Sequence, residues 1–109
     1  MKTLLAIALM LAATLQPASA QSQDPATLKR GEALLARACA SCHAIGRGGE
    51  SPHKDAPAFR TLSSRYPVDA LEEALGEGIV SGHPDMPEFK FDAPDVGAII
   101  AYLRSIQAQ

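Results

Sequence analysis

The segment from Pro25 to His43, PATLKRGEALLARACASCH, decides how this chain folds. Asp24 stands just before it as an N-cap, and Pro25 takes the first helical position, where a missing N–H leaves no bond unmade. Leu28, Gly31, Leu35, Ala38 and Cys42 then recur at three- and four-residue steps, while Lys29, Arg30, Glu32 and Arg37 fall off that line. This is the stripe of an amphipathic helix. The pattern carries the helix through Cys39 and Cys42 and breaks at GRGGESP, residues 46–52.

Beyond that break, residues 46 to 58 read as a loop rich in Gly, Pro, Ser and charge. A short helix is expected over residues 59–65, bounded by Pro57 and Pro67. Val68, Leu71, Ala74 and Leu75 then share one helical face, with Gly76 and Gly78 as C-terminal breakers. IVSGHPDMPEFKF (residues 79–91) is a Gly- and Pro-interrupted loop with many apolar residues. A last helix opens with Asp92 as its cap and Pro94 in its first turn. It lines up Val96, Ile99, Ile100, Leu103 and Ile106. No stretch alternates as a strand does. The reading is all-α, with three to five helices and long ordered loops.

The first twenty residues stand apart. Lys2 is followed by an uncharged apolar run from Leu4 to Leu15 and then by Ala18-Ser19-Ala20, small residues at the positions a signal peptidase reads. The run is well short of the roughly 20 residues that span a bilayer. We therefore expect residues 1–20 to be a cleaved signal peptide and the protein to be exported to a bacterial periplasm, without stable membrane insertion. Lys2 is the only charged residue of this segment, so residues 21–109 carry nine Lys/Arg against twelve Asp/Glu. That mildly acidic balance, without a basic run, excludes nucleic acid as a natural partner. Residues 21–109 make one domain, expected to be a monomer.

Such a domain has a weak core. It holds five aromatic residues (Phe59, Tyr66, Phe89, Phe91, Tyr102) and no Trp, and a chain of this size buries only about 60–65% of its unfolded surface. Small exported domains usually add several disulfides or a metal. Here the only cysteines are Cys39 and Cys42, in CASCH (residues 39–43), and two residues between them is too close to staple distant parts of the chain. A thiol-exchange site would open a helix after a strand, where the dipole lowers a thiol pKa. This pair closes a helix, and no strand is evident. A zinc site would need further ligands at paired spacing, which His53 and His83 do not supply. Cys-x-x-Cys-His is the attachment sequence of c-type haem. Two thiols one turn apart can add to the two vinyl groups of one porphyrin, and the next residue, His43, can bind the iron. The porphyrin would also give the weak core a large apolar disc to pack around.

The second axial position must come from elsewhere. Met86, the only methionine beyond the first twenty residues, lies between Asp85 and Pro87 in a loop, a poor place for the core filler that Met usually is. His83 and His53 are rival ligands, and an open position is the remaining possibility.

On these motifs the chain resembles the small soluble single-haem cytochromes c with His and Met axial ligands. Gly31 and Leu35 lie eight and four positions before Cys39; Ile99, Tyr102 and Leu103 match the family's last helix; Met86-Pro87-Glu88-Phe89 matches Met-Pro-x-Phe. The resemblance implies a cytochrome c fold built around one covalent haem c, with the N- and C-terminal helices crossing at Gly31 and Tyr102. It implies thioethers at Cys39 and Cys42, axial ligation by His43 and Met86, and haem packing by Phe59 and Phe89. It also implies that the Pro57 carbonyl accepts a hydrogen bond from His43 Nδ1, although Ala56 and Phe59 stand where the family commonly has Gly and Leu. Tyr66, Arg60 and Arg65 are the available propionate partners. A site closed on both faces moves one electron and binds no substrate. The resemblance thus implies an electron carrier rather than an enzyme, with redox proteins as partners: a dehydrogenase or membrane cytochrome complex as donor, an oxidase or reductase as acceptor. The alternatives are a haem enzyme or sensor for peroxide or a small gas, with Met86 labile or absent from the iron, and a dedicated cytochrome subunit of one dehydrogenase.

Overall fold

Both long helices begin at the aspartates the sequence offers as caps. In the computed structural model, which describes residues 24–80 and 83–108, helix α1 spans Pro25–Ala38, and the Asp24 carboxylate accepts the Thr27 N–H at 3.1 Å. Helix α3 spans Ala93–Ile106, and the Asp92 carboxylate accepts the Asp95 N–H at 3.0 Å. Each cap satisfies a donor that the helix cannot, worth about 1 kcal/mol. Between these helices lie a 3₁₀ segment over Phe59–Ser64, a second over Val68–Ala70, and helix α2 over Leu71–Glu77, into which the second segment runs. The described residues contain no strand, only an isolated antiparallel bridge between Ile79 and Phe89. The expected signal segment lies outside the described residues.

The architecture is the expected all-α arrangement, with the first and last helices crossing. Gly31 sits at the crossing. A Cβ there would overlap the Ala98 carbonyl of α3 and come within 2.8 Å of Tyr102 Cβ. Only hydrogen fits, which is why the two backbones can approach so closely. Around this point Leu34 and Leu35 of α1 meet Ile99, Tyr102 and Leu103 of α3, all of them buried. Every residue of the α3 stripe read from the sequence is buried. On α1 the stripe shifts: Leu34 is buried and Leu28 only partly so.

Helix α1 also stops earlier than its periodicity suggests. Ala38 is its last residue and Cys39 its C-cap. The Leu35 carbonyl takes both the Cys39 and Ala40 N–H groups, and the Cys39 carbonyl takes those of Cys42 and His43. The cysteine pair therefore occupies a separate turn stacked on the helix end. The periodic pattern missed this because CASCH contains no Gly or Pro to mark the stop.

The loop that follows is tied down along its length. Ala44 N–H donates to Ser51 Oγ at 3.0 Å, Phe59 N–H to the Ala44 carbonyl at 2.9 Å, and His53 N–H to the Cys42 carbonyl at 3.1 Å. From α3, Tyr102 donates its hydroxyl to the Ile45 carbonyl at 2.9 Å. Gln107 closes the other end, donating to the Phe59 and Leu103 carbonyls and accepting the Ser63 N–H. These bonds fasten the haem-motif loop and the first 3₁₀ segment to the crossed helices.

Candidate haem-binding site

One cleft of about 560 Å³ opens beside the crossed helices, and the residues singled out from the sequence line it together: Cys39, Cys42, His43, Pro57, Phe59, Met86 and Phe89. They come from different elements. Cys39 caps α1, and Cys42 and His43 follow in the next turn. Pro57 and Phe59 lie at the start of the first 3₁₀ segment. Met86 and Phe89 belong to the loop between α2 and α3. Leu35 of α1, Leu71 and Leu75 of α2, and Ile99 and Leu103 of α3 complete an apolar wall. The volume falls within the roughly 300–1,000 Å³ usual for cofactor and ligand sites.

His43 is held in one orientation. Its Nδ1 lies 2.8 Å from the Pro57 carbonyl oxygen, and since a carbonyl only accepts, Nδ1 carries the proton and donates. The lone pair is thereby left on Nε2, the arrangement typical of a metal-ligating imidazole whose other nitrogen is anchored. The Phe59 ring packs on the imidazole, with centroids 4.5 Å apart and planes tilted by 32°. Two departures from the family pattern meet here without disturbing the hydrogen bond: Ala56 precedes Pro57, and Phe59 supplies an aromatic contact where a Leu is common.

The two thiols are not joined as a disulfide. Burial, with a smaller contribution from the neighbouring Cys42 thiol, pushes the Cys39 thiol up to about 11. A thiol-exchange nucleophile needs the opposite shift, so this pair is poorly suited to disulfide chemistry. An apolar cleft carrying two neighbouring thiols, an imidazole with a free Nε2 lone pair and a thioether does fit a covalently held haem.

Met86 is half-buried on the cleft lining, in a turn whose Met86 N–H donates to the His83 carbonyl at 3.1 Å. The neck of this loop is closed by the Ile79–Phe89 bridge, where Ile79 N–H donates to the Phe89 carbonyl at 2.9 Å. Gly78 just before it has φ +120°, a conformation that favours glycine. His53 and His83 also line the cleft, so the geometry keeps both near Met86. Among the candidate propionate partners, Tyr66 and Arg65 line the cleft and Arg60 does not; one guanidinium nitrogen of Arg60 is buried without a hydrogen-bond partner.

Sequence reasoning passed over several residues of this site. Leu62, Ile79 and Phe91 line the cleft, yet as single apolar residues beside turns they carry no periodic signal. Ser51 and Ile45 act through backbone contacts that only the closed loop creates. His53 was visible only as an outlying ligand candidate; its contact with Asp85 spans 32 residues of sequence.

No helix among the described residues is long and apolar enough to cross a membrane. Comparison with known proteins agrees with the geometry. Residues 26–103 match the family model described as cytochrome c oxidase, cbb3-type, subunit III. Cytochrome c-552 of Bradyrhizobium diazoefficiens is 33% identical over 101 residues, spanning 93% of this chain and 92% of that protein. With the crossed helices, the apolar cleft and the CASCH motif on its wall, these matches make the chain a member of the small c-type cytochromes, which transfer electrons through a covalently bound haem c.

Proposed function

We propose that this chain is a periplasmic one-electron carrier in which Cys39 and Cys42 hold the haem as thioethers and His43 and Met86 are its axial ligands. The haem supplies a reversible one-electron couple; the chain's residues do the rest. Pro57 orients His43 and raises its basicity by accepting a hydrogen bond from Nδ1–H. Met86 fills the second axial position, so that no substrate enters, and a thioether there favours the reduced form and raises the potential. Phe59, Phe89 and the aliphatic wall exclude water, which acts in the same direction. The observation that carries this reading is the meeting of CASCH and Met86 on one apolar cleft, with His43 Nδ1 2.8 Å from the Pro57 carbonyl.

The donor in this reading is a dehydrogenase or membrane cytochrome complex, and the acceptor an oxidase or reductase. The family description, which names an oxidase subunit, favours an oxidase as acceptor. Export rests on the pattern of residues 1–20. The protein should be recovered from the periplasmic fraction with Gln21 at its N-terminus; recovery in the cytoplasm with Met1 intact would refute that part.

Site chemistry is tested separately. Haem should stay with the protein in acidified organic solvent and be extracted from a Cys39→Ala/Cys42→Ala variant. Met86→Ala should abolish the thioether-to-iron charge-transfer band of the ferric protein, lower the reduction potential and admit carbon monoxide on reduction. If the unaltered protein already binds carbon monoxide rapidly, the haem enzyme or sensor reading replaces the carrier.

A further inference from the structure

We propose that His53 is a positioning residue that pins the tip of the Met86 loop, through Asp85, to the segment following the haem motif. The inference rests on the reading of Met86 as an axial ligand. It starts from His53 itself, whose backbone is bonded at both groups: its N–H donates to the Cys42 carbonyl at 3.1 Å, and its carbonyl accepts the Ala56 N–H at 3.1 Å. The imidazole is therefore carried by backbone anchored directly on the second cysteine.

The ring has one orientation too. Asp55 N–H donates to His53 Nδ1 at 3.2 Å, so in the neutral ring Nδ1 holds the lone pair and Nε2 the proton. Nε2 lies 3.3 Å from Asp85 Oδ2, which can only accept when ionised. The donor is thus already set for the carboxylate, and no second protonation of the ring is needed. The His83 ring meets the His53 ring edge-on, with centroids 6.0 Å apart and planes at 90°, which adds a second contact between the same two segments.

Asp85 immediately precedes Met86. The loop is closed at its neck by the Ile79–Phe89 bridge and would be held at its tip by His53, so the thioether lies between two fixed points. Without the tip contact, the loop swings about its neck more readily and Met86 leaves the iron more often. A small competing ligand reads this directly, because it binds only the fraction with Met86 displaced.

The experiment uses the ferric holoprotein and imidazole as the probe, following the shift of the main haem absorption band on binding, a signal that every variant retains. His53→Ala and Asp85→Ala should each tighten apparent imidazole binding about two- to fivefold, the range for a solvent-accessible polar pair. The double variant should match the larger single effect rather than the product of the two. His53→Gln, which retains a side-chain N–H donor, should recover part of the unaltered behaviour. Unchanged binding in His53→Ala, or effects that multiply in the double variant, would overturn the proposal. Met86→Ala separates it from the axial reading. If Met86→Ala binds imidazole no better than the unaltered protein, the axial assignment fails and the proposal falls with it. If Met86→Ala binds far more tightly, the axial assignment stands and the His53 variants alone decide.

Discussion

The crossing of α1 and α3 and the loop that carries Met86 are held in opposite ways. At the crossing, Gly31 lies against the Ala98 backbone and Tyr102, and Leu35, Ile99 and Leu103 are at most 2% exposed. Close-packed side chains of this kind admit almost no adjustment. The Met86 loop instead has a bridge at its neck, a polar pair at its tip and largely exposed residues between, with Val80 76% exposed. One proposed axial ligand, His43, is thus mounted on the rigid scaffold, and the other, Met86, on a largely exposed loop. Global stability and ligand retention should consequently respond to different substitutions.

Gly31→Val tests the rigid side and should have the largest effect. A side chain there collides with backbone, which cannot step aside, so a loss of about 3 kcal/mol or more is expected. Denaturant titration would show it; a loss under about 1 kcal/mol would mean that the helices separate easily. Gly78→Ala probes the neck of the loop. Alanine at φ +120° is strained by about 1–2 kcal/mol and would press on the Glu88 side chain, which can move. Its main signature should be easier displacement of Met86, seen as tighter imidazole binding, with a smaller change in melting. Equal effects on both would erase the distinction between the two regions.

Tyr102→Phe keeps the packing and removes the hydroxyl bond to the Ile45 carbonyl. The expected loss is about 1 kcal/mol, read by denaturant titration, with the optical spectrum unchanged. The smallest effect belongs to the Asp69–Arg104 pair on the outer face of α3, both partners at least half exposed. The hydrogen bond from Arg104 holds the Asp69 carboxyl below its ordinary value of 3.8. A depressed carboxylate stabilises the fold above its unfolded value and loses that contribution as pH falls through the folded one. Asp69→Asn should therefore melt slightly below the unaltered protein at neutral pH, and the gap should close under acid conditions below pH 3.8. A gap that widened in acid would reverse the assignment.

Much of the scaffold was legible because its signals are local. Asp24-Pro25 and Asp92-Ala93-Pro94 state where the long helices begin, and Val96, Ile99, Ile100, Leu103 and Ile106 state which face of α3 is buried. The end of α1 was not legible, since the stop at Ala38 comes with the Leu35 carbonyl accepting both the Cys39 and Ala40 N–H groups rather than from a breaker residue. Leu34 replaces Leu28 on the buried face because the crossing point near Gly31 and Ala98, not periodicity alone, sets which part of α1 meets α3. The 3₁₀ character of residues 59–64 was hidden for a similar reason: Phe59 N–H is taken by Ala44, and Gln107 holds the segment from the far end of the chain.

The sequence by itself determined the chemistry. Two cysteines two residues apart with a histidine directly after them mark the haem-attachment motif, and one methionine in a Pro-flanked loop stands as the candidate second ligand, because attachment and ligation depend on residue type and short spacing. Tertiary structure decided how these groups are held: the Pro57 carbonyl accepts the His43 Nδ1–H bond and Gly31 lets α1 and α3 touch, both implied by the family resemblance, whereas the reach of His53 to Asp85 appears only in the folded chain. Each of these contacts joins segments far apart in sequence, and their distances exist only once the chain has closed on its core.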